Sequence, residues 1–234
     1  MGEPQQLGSL TCAHVGQERP TLLVPLGSIE QHGPHLPLDT DIRIATAVAH
    51  VAAAELGAMV APAISYGASG EHQGFPGTVS IGTPALTTLI VEYGRSACEW
   101  AARLVFVNGH GGNVDALRSA VALLRVEGRE VAWCSPAAAA GADAHAGHTE
   151  TSVLLHLSPE LVLTAECRPG NTASLAELMP QLRAGGVRAV SESGVLGDPT
   201  TATATDGKRL FAEMMGDCID RVRRWCPRPD GMLT

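Results

Sequence analysis

The sequence predicts an α/β fold in which a mostly parallel central sheet is covered by helices on both faces. Short apolar runs at 21–27, 59–64, 104–107 and 131–135 alternate with stretches of helical periodicity at 41–56, 83–103 and 113–127. Such alternation favours parallel strands joined by crossover helices. Composition agrees: 45% of the 234 residues are hydrophobic and 17% charged, which supplies a buried core and too little charge for a disordered chain. Domains run roughly 100 to 200 residues, so the length fits one domain over 1–226, with 227–234 expected to fray.

Each element has its own signal. The run from Thr21 to Gly27 is long enough for a buried strand and too short for a helix. Ile42, Ile44, Ala45, Val48, Val51, Ala52 and Leu56 recur at helical spacing, with Asp39, Thr40 and Asp41 available as caps and Gly57 as the stop. Residues 59–64 read as a second strand, and 65–82, with five glycines, as a long functional or mobile loop. Thr83 and Pro84 open the next helix. A strand at 104–107, a helix at 113–127 and a strand at 131–135 follow, then an Ala/Gly-rich loop over 136–147. Segments 149–157, 174–183 and 206–225 are further helices, and no internal repeat or linker is visible.

Sixteen Lys+Arg against 24 Asp+Glu give a net charge of −8, and only eight residues are aromatic. Nucleic-acid binding therefore lacks both its electrostatic and its stacking signature. His50 and Glu55 interrupt the Ala-rich stretch 45–63, so no membrane span is expected. The first residues lack a basic segment followed by an apolar run, which makes the cytoplasm the expected location. Six scattered cysteines without CxxC spacing read as reduced core residues rather than a disulfide framework.

Polar residues concentrate in three clusters at the carboxyl ends of expected strands, where α/β folds hold ligands. The first runs from Gly27 to Asp41: Glu30 and His32 are two apart and share a side of an extended segment, and Asp41 returns near a helix N-terminus. Carboxylate, imidazole and carboxylate suit divalent Zn, Mn or Fe; a polar turn with a capping aspartate is the plainer alternative. The second, Asn108-Gly-His110-Gly-Gly-Asn113, lies between a strand and a helix. It lacks the lysine of a P-loop and the GxGxxG spacing. The N–H groups of Gly111 and Gly112 are candidate oxyanion donors. The third, Asp143 to Ser152, brings His145 and Glu150 to a helix start. Together Glu30, His32, Asp41, His110 and Glu150 suffice for two metals sharing a carboxylate, with His145 left over for proton transfer. Ser69, Glu71 and His72 are substrate-contact candidates, with a solvated loop as the alternative. His35 and His148 can support the ligands, whereas His14, His50 and His156 lack polar company and read as structural.

The pattern GSxEQHGPHLPLxTD, followed by NGHGGN and HAGxxET, resembles the creatininase family of metal-dependent amidohydrolases over about residues 20–225. The resemblance implies a three-layer α/β fold and a homo-oligomer, commonly a hexamer. It also implies that Glu30 and His110 hold one metal, His32 and Glu150 the other, that Asp41 bridges, and that His145 is the catalytic histidine. The family's name-giving enzyme has a glutamate where this chain has Gly112, which makes Glu150 the candidate replacement. None of Trp100, Trp133 and Trp225 falls in the loop 136–147, unlike the substrate-covering tryptophan of that enzyme, so creatinine is a poor substrate candidate. Stretches 66–82, 143–152 and 194–202 resemble a branch that cuts a modified, ribosomally made precursor peptide to release its C-terminal Val-Tyr unit. The alternatives are hydrolysis of a small cyclic amide or formamide, or a non-enzymatic metal-bound subunit.

Overall fold

A computed structural model describes residues 4–15, 19–136 and 143–234. In chain order the elements are β1 (Gln5–Gln6), α1 (Cys12–Val15), β2 (Thr21–Leu26), α2 (Thr40–Leu56), β3 (Met59–Val60) and α3 (Thr83–Ala97). They continue with β4 (Arg103–Asn108), α4 (Val114–Val126), β5 (Val131–Cys134), α5 (His148–Leu157), α6 (Leu175–Gly185) and α7 (Ala204–Arg224). The five strands form one sheet in the order β1-β3-β2-β4-β5, and every pairing is parallel.

Strand periodicity explains why both faces are covered. Leu23, Val105, Val107, Ala132 and Cys134 point to one side, where they pack with α2, α5 and α7. Leu22, Val24, Leu26, Leu104, Phe106, Val131 and Trp133 point to the other, against α3 and α4. Side chains alternate along a strand, so runs that are apolar at every position need an apolar layer on each side. The result is the three-layer arrangement that the motifs imply. α7 presses so closely on α5 that a Cβ at Gly207 would collide with the Ser152 carbonyl.

Three expectations change. The strand expected at 59–64 is ladder-paired only at Met59–Val60, and Ile64 makes a single bridge to Leu26. The helix expected to reach 103 ends at Ala97, because the register that sets Arg103 opposite Thr21 requires extended backbone there. The tail 227–234 does not fray. Leu233 is completely buried, and the Trp133 N–H donates to Gly231 O (3.0 Å) while Leu233 N–H donates to Trp133 O (2.9 Å). The Trp133 indole also donates to Asp230 O (2.9 Å). Met232 and Leu233 at the end of a short tail with two prolines are weak as pattern but effective as a plug. Of the loop expected over 136–147, residues 137–142 lie outside those described. Among the described residues no helix is long and apolar enough to cross a membrane.

The buried plug yields a measurable expectation. Leu233→Ala should cost about 2–5 kcal/mol, the usual range for a large-to-small core change, read as a lower denaturation midpoint at unchanged m value. A loss below about 0.5 kcal/mol, the scale of ordinary surface changes, would show that the tail is not part of the folded unit.

Candidate metal centre

The carboxyl ends of β2 and β4 lie side by side, since Leu26 is in register with Asn108. The loops that leave them carry the first two polar clusters, and α5 brings the third. Asn113 ties these segments together: its Nδ2 donates to Gly27 O (3.0 Å) and Asn108 Oδ1 (3.2 Å), and its Oδ1 accepts from Ala68 N–H (2.8 Å). Asn108 Nδ2 in turn donates to His110 O (2.7 Å). Two asparagines thus fix the approach of three loops.

The five expected ligand residues converge. His32 Nε2 lies 3.1 Å from Asp41 Oδ1 and 3.9 Å from Glu150 Oε2. His110 Nε2 lies 3.1 Å from Glu30 Oε2, and its Nδ1 lies 3.3 Å from Asp41 Oδ2. Suitable ligand atoms fall within 4.8 Å of one another in three sets: Glu30, Asp41 and His110; His32, Asp41 and Glu150; and Glu30, His32 and His145. Asp41 belongs to the first two sets, the position of a shared carboxylate. Glu30, His32 and Asp41 are buried and His110 nearly so, while the Glu150 side chain is 23% exposed.

Burial of this charge has electrostatic consequences. Burial alone would lower the His32 pKa, but Asp41, Glu150 and Glu30 outweigh it and push it up to about 10. His110 is likewise raised against its burial by Glu30 and Asp41. Burial raises the Asp41 carboxyl, yet His32 and His110 hold it well below the carboxylate range. Glu150 is pushed up to about 7 by burial, with His32 opposing and Asp41 adding to the rise. Burial also carries His145 well below the ordinary histidine value, helped by His32 and His72.

Two buried atoms, Glu30 Oε1 and His110 Nε2, make no hydrogen bond. Buried polar atoms are nearly always paired, and both atoms belong to a set of closely spaced carboxylates and imidazoles that suits a divalent cation. The residues therefore fit a metal centre.

Two neighbours, Ser28 and Gln31, carry no such signal in the sequence. Ser28 Oγ is 2.7 Å from both Glu30 Oε2 and Asp41 Oδ2, so one hydroxyl proton is shared between two carboxylates. Gln31 Nε2 donates to His72 Nδ1 (2.8 Å), and Gln31 O accepts from His145 Nε2 (2.8 Å). With Nε2 so engaged, His145 turns Nδ1 inward, 3.8 Å from Glu30 Oε1. His72 is buried, its Nε2 3.3 Å from Glu30 Oε1. Glu71 Oε1 is 3.3 Å from His110 Nε2, and a Cβ at Gly112 would collide with it. The space that a residue-112 side chain would take is held by Glu71.

Other candidates sit differently. Ser69 is buried with its hydroxyl unpaired and does not line the cleft, whereas Glu71, His72, Gly111 and Gly112 do. His35 bonds Thr151 Oγ1 (2.8 Å) and is driven down to about 4 by burial and by His32, while His148 bonds Thr201 Oγ1 (2.9 Å); neither ring bonds a ligand candidate. His14 bonds Thr11 Oγ1 (2.7 Å) and His156 packs on Phe211, both away from the centre. The centre opens into a cleft of about 820 Å³, whose far wall is α6.

Known proteins share the sequence pattern and the fold. The family model described as "Creatininase: Creatinine amidohydrolase" matches residues 9–222. The mycofactocin precursor peptide peptidase of Mycolicibacterium smegmatis (strain ATCC 700084 / mc(2)155) is 63% identical, over 99% of this chain and 96% of that protein. A crystal structure of creatinine amidohydrolase (creatininase) aligns with a TM-score of 0.79 at 27% identity, covering 97% of this chain and all of that one. A second solved structure, creatininase Mn, aligns equally well, with a TM-score of 0.79 at 27% identity over 96% and 100% of the two chains. This chain belongs to the creatininase family.

Proposed function

We propose that the chain is a dinuclear metal-dependent peptidase that cleaves the modified mycofactocin precursor peptide and releases its C-terminal Val-Tyr-derived unit. The observation that carries this reading is the pair of buried donor sets joined at Asp41, in a chain 63% identical to a precursor peptide peptidase. Glu30 and His110 would hold one ion, His32 and Glu150 the other, and Asp41 both. Zn, Fe and Mn all suit carboxylate and imidazole donors. Such ions supply Lewis acidity and water activated near neutral pH. A small cyclic amide, the substrate of the second reading, would fill only part of a cleft of about 820 Å³.

The protein groups divide the remaining work. His145, neutral at pH 7 through its lowered pKa, has Nε2 anchored on Gln31 O and Nδ1 free to take a proton and deliver it to the leaving amine. Gly111 and Gly112 line the cleft beside His110, where their N–H groups are available to the developing oxyanion. Ser28 fixes the rotamers of Glu30 and Asp41.

The direct test is mass spectrometry of the products formed from the modified precursor peptide by metal-loaded protein; no cleavage would reject the reading. Two variants separate ligand from proton carrier. His145→Ala should keep near-full metal content and lose about 10²- to 10⁴-fold in rate, the usual contribution of a positioned acid or base. Glu150→Ala should lose both metal and rate. Metal loss from His145→Ala would instead make His145 a ligand through its set with Glu30 and His32.

A second expectation concerns pH. Without metal, His32 keeps its proton until pH rises through about 10, so metal uptake at pH 8 must expel it, and affinity should fall as pH falls. Calorimetric titration in two buffers of different ionisation enthalpy reads the released proton; identical heats would contradict it. The sign for the metal-free fold is opposite: a raised folded pKa means that the His32–Asp41 pair stabilises fully below about pH 6.5 and loses this effect as pH climbs through about 10. Metal-free protein should therefore show a falling Tm between those limits.

A further inference from the structure

Helix α6 stands apart from both main cores. Leu178 is its one buried residue, packed in a small cluster with Val187, Leu196 and Phe75. A capping box secures its start: Glu177 N–H donates to Ser174 Oγ (3.4 Å), and Ser174 N–H donates to Glu177 Oε2 (2.9 Å). The helix start is thus defined locally, and besides Leu178 only Leu182 of this helix packs on that cluster.

Its cleft side has a consistent chemistry. Leu175, Met179, Leu182 and Arg183 line the same cavity as Glu30, His110 and Glu150. Their spacing of four, seven and eight residues from the first places them on one helical face. Leu175 is 47% exposed. Arg183 is the only arginine or lysine among the described residues that line the cleft. Of the chain's fifteen arginines it is also the only one whose side chain has no ion pair, hydrogen bond or ring contact to another described residue. Glu71 and Asp115 also line the cleft, yet neither pairs with it. An exposed guanidinium with five donors, unpaired among the described residues, is available to an external carboxylate.

We propose that α6 is the wall on which the peptide substrate is read: an apolar side chain lies on Leu175 and Met179, and a carboxylate next to it pairs with Arg183. This rests on the cleft being a peptide site and names what that site selects. An extended peptide with one end at the metal centre runs along the cleft past this wall, because both line one continuous cavity. The carboxylate is either an acidic side chain or a C-terminus, and the test distinguishes them.

The experiment measures binding by fluorescence anisotropy, with metal-loaded protein and fluorescein-labelled, C-terminally amidated octapeptides. Each carries one leucine and one glutamate at varied spacing; glutamine and alanine counterparts and a free-acid C-terminus complete the set. Native protein should prefer at least one glutamate peptide, or the free acid, by about tenfold over its neutral counterpart, the scale of a charge-assisted hydrogen bond. Response to the internal glutamate assigns a side chain, and response to the free acid alone assigns a C-terminus. Arg183→Gln should bring the ratio to about one, and Arg183→Lys should keep part of it. Leu175→Ala with Met179→Ala should erase the preference for leucine over alanine. Absence of the acid preference in native protein, or its survival in Arg183→Gln, overturns the assignment. So does self-association that Arg183→Gln abolishes without any peptide preference, which would give the wall to a second copy. Cleavage is scored separately by mass spectrometry, so failure of the peptidase reading is distinct from failure of α6 as the reading wall.

Discussion

Gathering three carboxylates, two of them buried, around Asp41 is the constraint around which this molecule is organised. Asp41 lies close to Glu30 on one side and to Glu150 on the other, and repulsion among these carboxylates in a poorly solvated site is tolerable only if cations answer it. Without metal the answer is partial: protons collect on His32 and His110 and hold Asp41 ionised, while Glu150 stays near neutrality in its titration. The histidines therefore serve as provisional counter-charges as well as donors. The three-layer fold supplies what such a site needs, a rigid floor of paired strand ends and a dry apolar layer on both sides of it.

Geometry is enforced by uncharged groups around the charged ones. Asn113 and Asn108 lock the loops after β2 and β4 to each other and to Ala68, and Ser28 and Gln31 fix carboxylate and imidazole rotamers. Gly112 has a comparable part through its missing side chain. A Cβ there would meet Ala68 O, Glu71 Oε1 and His110 Nε2, so the bare glycine leaves room for Glu71 of the loop 65–82 beside His110.

Much of this was legible in the sequence, for reasons that differ by residue. The strands could be read because their apolar runs are unbroken, and Glu30, His32, Asp41, His110 and Glu150 because glycine- and proline-rich turns beside expected strand ends leave few structural uses for such residues. Gln5–Gln6 gave no strand signal: both side chains are exposed, and only the neighbouring β3 makes them a strand. The roles of Ser28 and Gln31 were hidden because they depend on partners 13, 41 and 114 residues away. Ser69 fell on the wrong side of its turn, since the short 3₁₀ helix Gly70–His72 rotates Glu71 and His72 into the cleft and leaves the serine beneath it.

The two margins of the sheet have a bearing on solubility. β1 offers only two ladder residues, and the outer side of β5 is occupied at Trp133 by Gly231 and Leu233 and at Val131 by the Arg125 guanidinium. Unpaired parallel edges are templates for intermolecular strand addition, and among the described residues both margins are short or partly occupied. Extension of the sheet by a second copy would therefore have only a short run of backbone groups to use at either described margin.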